Sequence, residues 1–267
     1  MSGPIGLHGG GEYLAGDEPF LDALLEAAAA VAAQRSPDDT GGPGNLDVAA
    51  HVLATPGDVI RIVILPTAAG RGQPDRAAAT GRAAFERRAA HLGHRTTVEV
   101  ARVVDAASAA DPVAVERVAR ADLIHLPGGD PDLVPATLAG SLAFSGLCSA
   151  WERGAVIAGA SAGAMALADW SWTSDGGIRG LGLLRGLAVV PHYDDVRRTS
   201  WQATLDELAP GGIGYLGLDE RTGVLSVPNG PGGHDWRVVG EGAALWFARG
   251  ADEPIVGRHG DLLRLPF

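Results

Sequence analysis

Residues 155–168 constrain the fold more than any other stretch of the 267-residue chain. An apolar run, Ala155-Val156-Ile157-Ala158, leads into Gly159-Ala160-Ser161-Ala162-Gly163. A helix-compatible run, Ala164-Met165-Ala166-Leu167-Ala168, follows. A buried strand that turns at once into a helix is the basic unit of an α/β fold. Only small residues tolerate so sharp a turn. Here they flank a serine, whose hydroxyl such a turn lifts off the strand end, beside the free N–H groups of the helix start. Ser161 is therefore the candidate nucleophile, and the N–H of Ala162 a candidate donor to an oxyanion.

The rest of the chain repeats the alternation. Strands are expected at 5–8, 59–65, 96–104, 123–126, 156–158 and 187–190. Helices are expected at 19–34, 75–92, 112–120, 132–138, 142–153, 162–168 and 199–208. Fully apolar strands between amphipathic helices imply a parallel sheet covered on both faces. From Gly214 onward, short strands at 215–218, 223–227, 236–239, 243–247 and 262–265 alternate with Gly/Asn/Pro turns. The expected fold is α/β: three-layer and flavodoxin-like, with a mostly parallel sheet, helices on both faces, and residues 214–267 as an antiparallel, β-rich C-terminal extension of the same sheet. Residues 36–57 read as an irregular insertion that holds a short helix near 46–53. The whole of 1–267 is expected to form a single domain.

Composition narrows the chemistry. The formal net charge of −11 argues against nucleic acid or an anionic membrane as partner. Lysine is absent, which removes Schiff-base, pyridoxal phosphate, Walker A and Ser–Lys mechanisms. The single cysteine, Cys148, forbids an internal disulfide and reads as a small core residue. There is no membrane-length apolar run and no basic-then-apolar leader pattern, so a cytoplasmic setting is the expectation. No H-E-x-x-H and no Cys/His cluster occurs, and His192-Tyr193-Asp194-Asp195 has ligand types without partners. Neither a metal nor a cofactor is expected. A homodimer is compatible with the sequence.

A serine nucleophile needs a base. His192 ends the apolar run Val189-Val190-Pro191, where sites form in open parallel sheets. His51, His91 and His94 read as solvated, His125 as structural, and His234 and His259 as late-hairpin residues. Two carboxylates compete to orient the base: Glu220 in Gly217-Leu218-Asp219-Glu220-Arg221-Thr222, and Asp175 in Trp172-Thr173-Ser174-Asp175-Gly176. Leu126-Pro127-Gly128-Gly129-Asp130 follows another strand and offers free backbone N–H groups. Gly129 is the second oxyanion donor in this reading. His8-Gly9-Gly10-Gly11 spells the oxyanion motif of some esterases, but it follows the very first strand. It reads instead as a turn that lines the same end of the sheet, with Glu12 facing the substrate.

With these residues in place, the chain resembles the peptidase E–cyanophycinase family of serine peptidases, which look like class I glutamine amidotransferases with serine in place of cysteine. The resemblance spans residues 5–227. It rests on Gly159-Ala160-Ser161-Ala162-Gly163-Ala164-Met165, Leu126-Pro127-Gly128-Gly129-Asp130, Val63-Ile64-Leu65-Pro66-Thr67-Ala68-Ala69, Pro191-His192-Tyr193 and Gly217–Thr222. It implies a Ser161–His192–acid triad. The acid is Glu220 on the cyanophycinase pattern and Asp175 on the peptidase E pattern. It also implies an acyl-enzyme and a small peptide or isopeptide substrate, with aspartyl residues favoured. Gly128, Asp130, Arg197 and Arg198 are the substrate-binding candidates. Pro131 stands where cyanophycinases carry a glutamine, and Asp194-Asp195-Val196-Arg197-Arg198-Thr199 does not keep their arginine-rich pattern, so the resemblance carries the triad better than the substrate. Two rivals remain: an esterase of the α/β-hydrolase type with His234 or His259 as base, and a non-catalytic binding protein on an amidotransferase-like fold.

Overall fold

The structure, a computed structural model, describes residues 2–35, 59–173, 176–194, 207, 211–228, 234–248, 250–251 and 253–265. Five parallel strands form its frame: β1 (Ile5–His8), β2 (Val59–Ile64), β3 (Arg95–Val100), β4 (Leu123–Leu126) and β5 (Val156–Ala160). They lie side by side in the order β1-β5-β4-β2-β3. The helices between them are α1 (Glu18–Ala33), α2 (Pro74–Leu92), α3 (Pro112–Arg120), α4 (Leu133–Leu138) and α5 (Leu142–Glu152). A sixth helix, α6 (Ala162–Leu167), follows β5 after one residue.

Local chemistry accounts for these boundaries. Proline in the first turn opens α2 and α3, where its missing N–H has no partner to lose. Asp111 caps α3 by accepting from the N–H groups of Val113 and Ala114. Gly93 closes α2 at φ 76°, a left-handed conformation that glycine takes without strain.

Alternate residues of the central strands feed two cores. Ile60, Ile62, Ile64, Leu123, Val156 and Ala158 pack with α1 and α2 on one face. Val63, Leu65, Ile124, Leu126 and Ile157 pack on the other face with residues of α3 to α6. Both sets are essentially solvent-free. This period-two division of nearly all-apolar strands is the mark of a sheet with covered faces. Each such buried Leu or Ile contributes roughly 1.5–3 kcal/mol.

The C-terminal region departs from the simple extension expected of it. Strands β10 (Thr222–Pro228), β11 (His234–Gly240) and β14 (Leu262–Leu263) do extend the main sheet, antiparallel, beyond β1. The others form a second, six-stranded sheet in the order β13-β12-β9-β8-β6-β7. Its members are β6 (Ala168–Thr173), β7 (Gly176–Arg179), β8 (Leu184–Val190), β9 (Gly214–Leu218), β12 (Ala243–Phe247) and β13 (Ile255–Arg258). Leu187, Val189, Leu216, Leu218, Ala244 and Trp246 bury one face of this sheet in the same core as α3 to α6. Trp170, Ala188, Val190, Tyr193, Leu245 and Phe247 form a smaller cluster on the other face. β6 and β7 were not expected from the sequence. The strand expected at 96–104 ends at Val100. The helices expected near 46–53 and over 199–208 fall outside the described residues, apart from Glu207.

Candidate active site

Ser161 sits between the last residue of β5 and the first of α6, with φ 48° and ψ −117°. No regular element uses that combination, and a non-glycine residue there is strained by about 1–3 kcal/mol. The small neighbours make the turn feasible. A Cβ on Gly159 would lie 2.5 Å from the Gly163 backbone, and one on Gly163 would lie 2.1 Å from the Leu126 carbonyl oxygen. The Ser161 N–H donates to the His8 carbonyl at 2.9 Å, and its own carbonyl accepts from Met165 at 3.0 Å. The residue is thus fixed at both ends.

The Ser161 hydroxyl lies 2.9 Å from Nε2 of His192. On the far side of the ring, Nδ1 lies 2.8 Å from Oε1 of Glu220. These contacts assign the tautomer. Nδ1 carries the proton and donates to the carboxylate, and Nε2 is free to accept from the serine O–H. The ring is 30% and the carboxylate 41% exposed, so a substrate can reach the array from solvent.

Three loops hold His192 in this pose. Its N–H donates to the Gly9 carbonyl at 2.7 Å, and the next N–H, of Tyr193, donates to Leu218 at 3.0 Å. His192 takes φ 52°, in the left-handed region. Tyr193 is fully buried, with edge-on contacts to Phe247, and fills the space that a Cβ on Gly217 would need. Glu220 is tied to the same centre. Arg221 N–H donates to Gly10 at 2.8 Å, and Gly9 N–H donates to Thr222 at 2.9 Å. The turn after β1 therefore joins the His192 loop to the Glu220 loop. The sequence places this glycine turn at the same end of the sheet but does not reveal this role. The signal was the triple glycine itself, which leaves backbone groups open to close approach.

Gly128 and Gly129 follow β4 on the opposite side of Ser161. Gly128 N–H donates to Oε1 of Glu12 at 2.8 Å. Asp130 N–H donates to the Ala68 carbonyl at 2.7 Å. Between them, Gly129 has φ 153°, and a Cβ there would strike the Ala68 carbonyl oxygen at 2.3 Å. Among the described residues, the N–H groups of Gly129 and Ala162 have no hydrogen-bond partner. A cavity of about 560 Å³ opens beside this loop. Glu12, Arg71, Arg76, Gly128, Gly129 and Asp130 are among the residues on its walls. Arg71 pairs with Asp130 at 2.7 Å.

The other sequence candidates fall elsewhere. Asp175, Arg197 and Arg198 lie outside the described residues. His259 accepts from the Gly240 N–H at 3.2 Å, and His234 belongs to β11; neither contacts Ser161. His125 is buried, with Nδ1 2.8 Å from the Tyr13 hydroxyl. Burial, helped by nearby His8, pulls its pKa down to about 3, so the ring that hydrogen-bonds the tyrosine hydroxyl is neutral. Burial likewise pushes the Cys148 thiol up, away from thiolate reactivity. Among the described residues, no group of three His, Cys, Asp or Glu side chains could hold a metal ion. No helix among them is long and apolar enough to cross a membrane.

A strained serine on a strand–helix turn, bonded to a histidine that is bonded to a carboxylate, recurs on unrelated folds, so geometry alone does not name a family. Comparison with known families does. Residues 40–227 match the model of peptidase family S51. The chain belongs to that family. It is a serine peptidase with the fold of peptidase E. A crystal structure of a peptidase from an acI-B1 Actinobacterium is 25% identical, covers 99% of this chain and 98% of its own, and superposes with a TM-score of 0.73. A candidate peptidase E protein from Listeria monocytogenes EGD-e shares the fold at 13% identity and a TM-score of 0.50, covering 97% of this chain and 99% of its own. No curated protein sequence matches this S51 chain.

Proposed function

We propose that Ser161, His192 and Glu220 are the catalytic triad of this S51 peptidase, acting on small peptides or isopeptides, with aspartyl residues at the cleaved bond. The observation that carries this reading is the unbroken chain Oγ–Nε2, Nδ1–Oε1, at 2.9 and 2.8 Å. Ser161 attacks the scissile carbonyl while His192 Nε2 takes the hydroxyl proton. The ring becomes an imidazolium, and Glu220 stabilises it and keeps it oriented. His192 then hands its proton to the leaving amine, and an acyl-enzyme remains on Ser161. Water attacks the acyl carbon while His192 takes its proton; the ester bond to Ser161 Oγ then breaks, His192 returns the proton to Oγ, and the acyl group leaves as a free acid.

Gly129 and Ala162 are the proposed oxyanion donors. Their N–H groups, which have no hydrogen-bond partner among the described residues, flank the serine, the first from the glycine loop and the second from the start of α6. A preorganised donor of this kind lowers the barrier by about 3 kcal/mol. Gly128 and Asp130 line the cavity in which the substrate would lie. The aspartyl preference rests on the resemblance to peptidase E and cyanophycinase. A cytoplasmic setting belongs to the same reading. A screen of α- and β-aspartyl dipeptides, with Ser161→Ala as control, tests the whole. Hydrolysis by the parent protein alone supports it. Equal hydrolysis by Ser161→Ala sinks it.

A further inference from the structure

Gly9-Gly10-Gly11 is the turn that joins the His192 loop to the Glu220 loop, and the ring of His192 rests on Gly10. Glycine loses more freedom on ordering than any other residue, so three in a row make a poor support unless something clamps them. The path is demanding as well. Gly10 and Gly11 take φ 108° and 72°, and Tyr13, just beyond, takes φ 69°.

One carboxylate reaches both ends of this turn. Oδ2 of Asp17 accepts the Tyr13 N–H at 2.7 Å. Oδ1 lies 2.9 Å from Nε2 of His8. On the other side of that ring, Nδ1 accepts the Gly10 N–H at 3.3 Å, which assigns the ring proton to Nε2, facing the carboxylate. The Nε2–H bond points off the line to Oδ1, so the contact is one of charge and dipole and not a linear hydrogen bond. The His8 ring is held from the side by Phe20, with centroids 4.8 Å apart.

Two features show that helix capping and packing do not account for Asp17. It is the N-cap of α1, where a carboxylate ordinarily accepts from the first free N–H groups of the helix. Here its side chain accepts none of them and bonds Tyr13 instead. Asp17 and His8 are also both 1% exposed. Burying a carboxylate and an imidazole carries a desolvation cost that an apolar pair of the same size would not.

We propose that Asp17 is a positioning residue for the catalytic base: through His8 and Tyr13 it clamps the glycine turn on which His192 rests. This rests on the reading of Ser161, His192 and Glu220 as the triad.

Asp17→Asn tests it with little change of shape. Whichever way the amide sits, its NH₂ end meets another donor, either the Tyr13 N–H or Nε2–H of His8. Moving the ring proton to Nδ1 relieves the second clash only by facing the Gly10 N–H. The turn is released in every case. The readout is the rate at which a fluorophosphonate modifies Ser161, followed by intact mass, with denaturant unfolding of the same samples. Asp17→Asn should react about 10- to 100-fold more slowly, since displacements near 1 Å cost about 10²-fold. Asp122→Asn is the control. That carboxylate is also buried, but it binds Arg35 and the Arg61 N–H just before β4, at the opposite end of the sheet. Its loss should lower stability and leave the rate near that of the parent protein. A second pair, His8→Asn and His8→Leu, is matched in size, but only asparagine offers an oxygen to the Gly10 N–H. The asparagine variant should be the faster.

A parent-like rate in Asp17→Asn overturns the proposal. Equal slowing in Asp122→Asn also overturns it, because the rate would then follow stability and not the position of the base. If Asp17→Asn does not fold, the His8 pair decides, and equal rates in its two members overturn the proposal. If the parent protein is modified at Ser161 and Asp17→Asn keeps pace, only the Asp17 proposal falls. If the folded parent protein takes up no adduct, the triad reading falls and takes the Asp17 proposal with it.

Discussion

The ring of His192 rests on the backbone of Gly10: a Cβ at that glycine would lie 2.2 Å from Cε1 and 2.6 Å from Nε2. The base is therefore positioned by the first strand's turn as much as by its own. Gly10→Ala should push the ring off Ser161, and its φ of 108° adds backbone strain. Displacements near 1 Å cost about 10²-fold in rate. The expected outcome is a folded protein with kcat/KM lowered at least that much, checked by turnover and thermal unfolding on one sample. Activity near that of the parent protein would show that the ring is not held from below.

Ser161→Ala and Ser161→Gly should both abolish hydrolysis, but they should differ in stability. Glycine relaxes the strain at φ 48°, and alanine does not. Set against the extra chain entropy of glycine in the unfolded state, the glycine variant should be the more stable by about 1 kcal/mol. Denaturant unfolding of the two variants measures this. A less stable glycine variant would show that the turn stores little strain.

Glu220→Gln should keep the fold and slow turnover by about 10² or more, because an amide cannot stabilise the imidazolium. Asp175→Asn should have the smaller effect. Steady-state kinetics on both variants decides between the two acids. The reverse order would move the triad toward the peptidase E pattern.

The elbow was legible because every determinant of it is local: an apolar strand, small turn residues, then a helix. His192 was legible as a strand-end residue for the same reason, whereas the acid stayed open between Glu220 and Asp175, because the path of the loop that carries Asp175 has no local determinant. The second sheet was not. Trp170-Ser171-Trp172 carries a short polar–apolar alternation, but whether β6 pairs with β8 or with the main sheet depends on partners far along the chain. Likewise, Gly214–Leu218 and Thr222–Pro228 read alike, yet one strand joins each sheet. The seat that Gly10 makes for His192 joins residues 182 positions apart, and no local pattern encodes it.

Stability should fall in mild acid because of His125. Its pKa is about 3 in the folded protein and near 6.5 when unfolded. Between those values the unfolded chain binds a proton that the folded protein does not, so stability rises with pH through that window and is lost as pH falls from about 6.5 toward 3. The effect should be on the order of a few kcal/mol. His125→Asn should flatten that part of the stability–pH curve. Denaturant unfolding at several pH values checks it, and an unchanged slope in the variant would assign the acid sensitivity to other groups.

The most direct test of the triad is covalent capture of the nucleophile. The folded parent protein, treated with a fluorophosphonate and mapped by peptide mass, should carry one adduct, on Ser161. His192→Ala should slow its formation by orders of magnitude, whereas His259→Ala should not. Folded protein that takes up no adduct, or an adduct on Ser161 that forms equally fast without His192, would contradict the assignment.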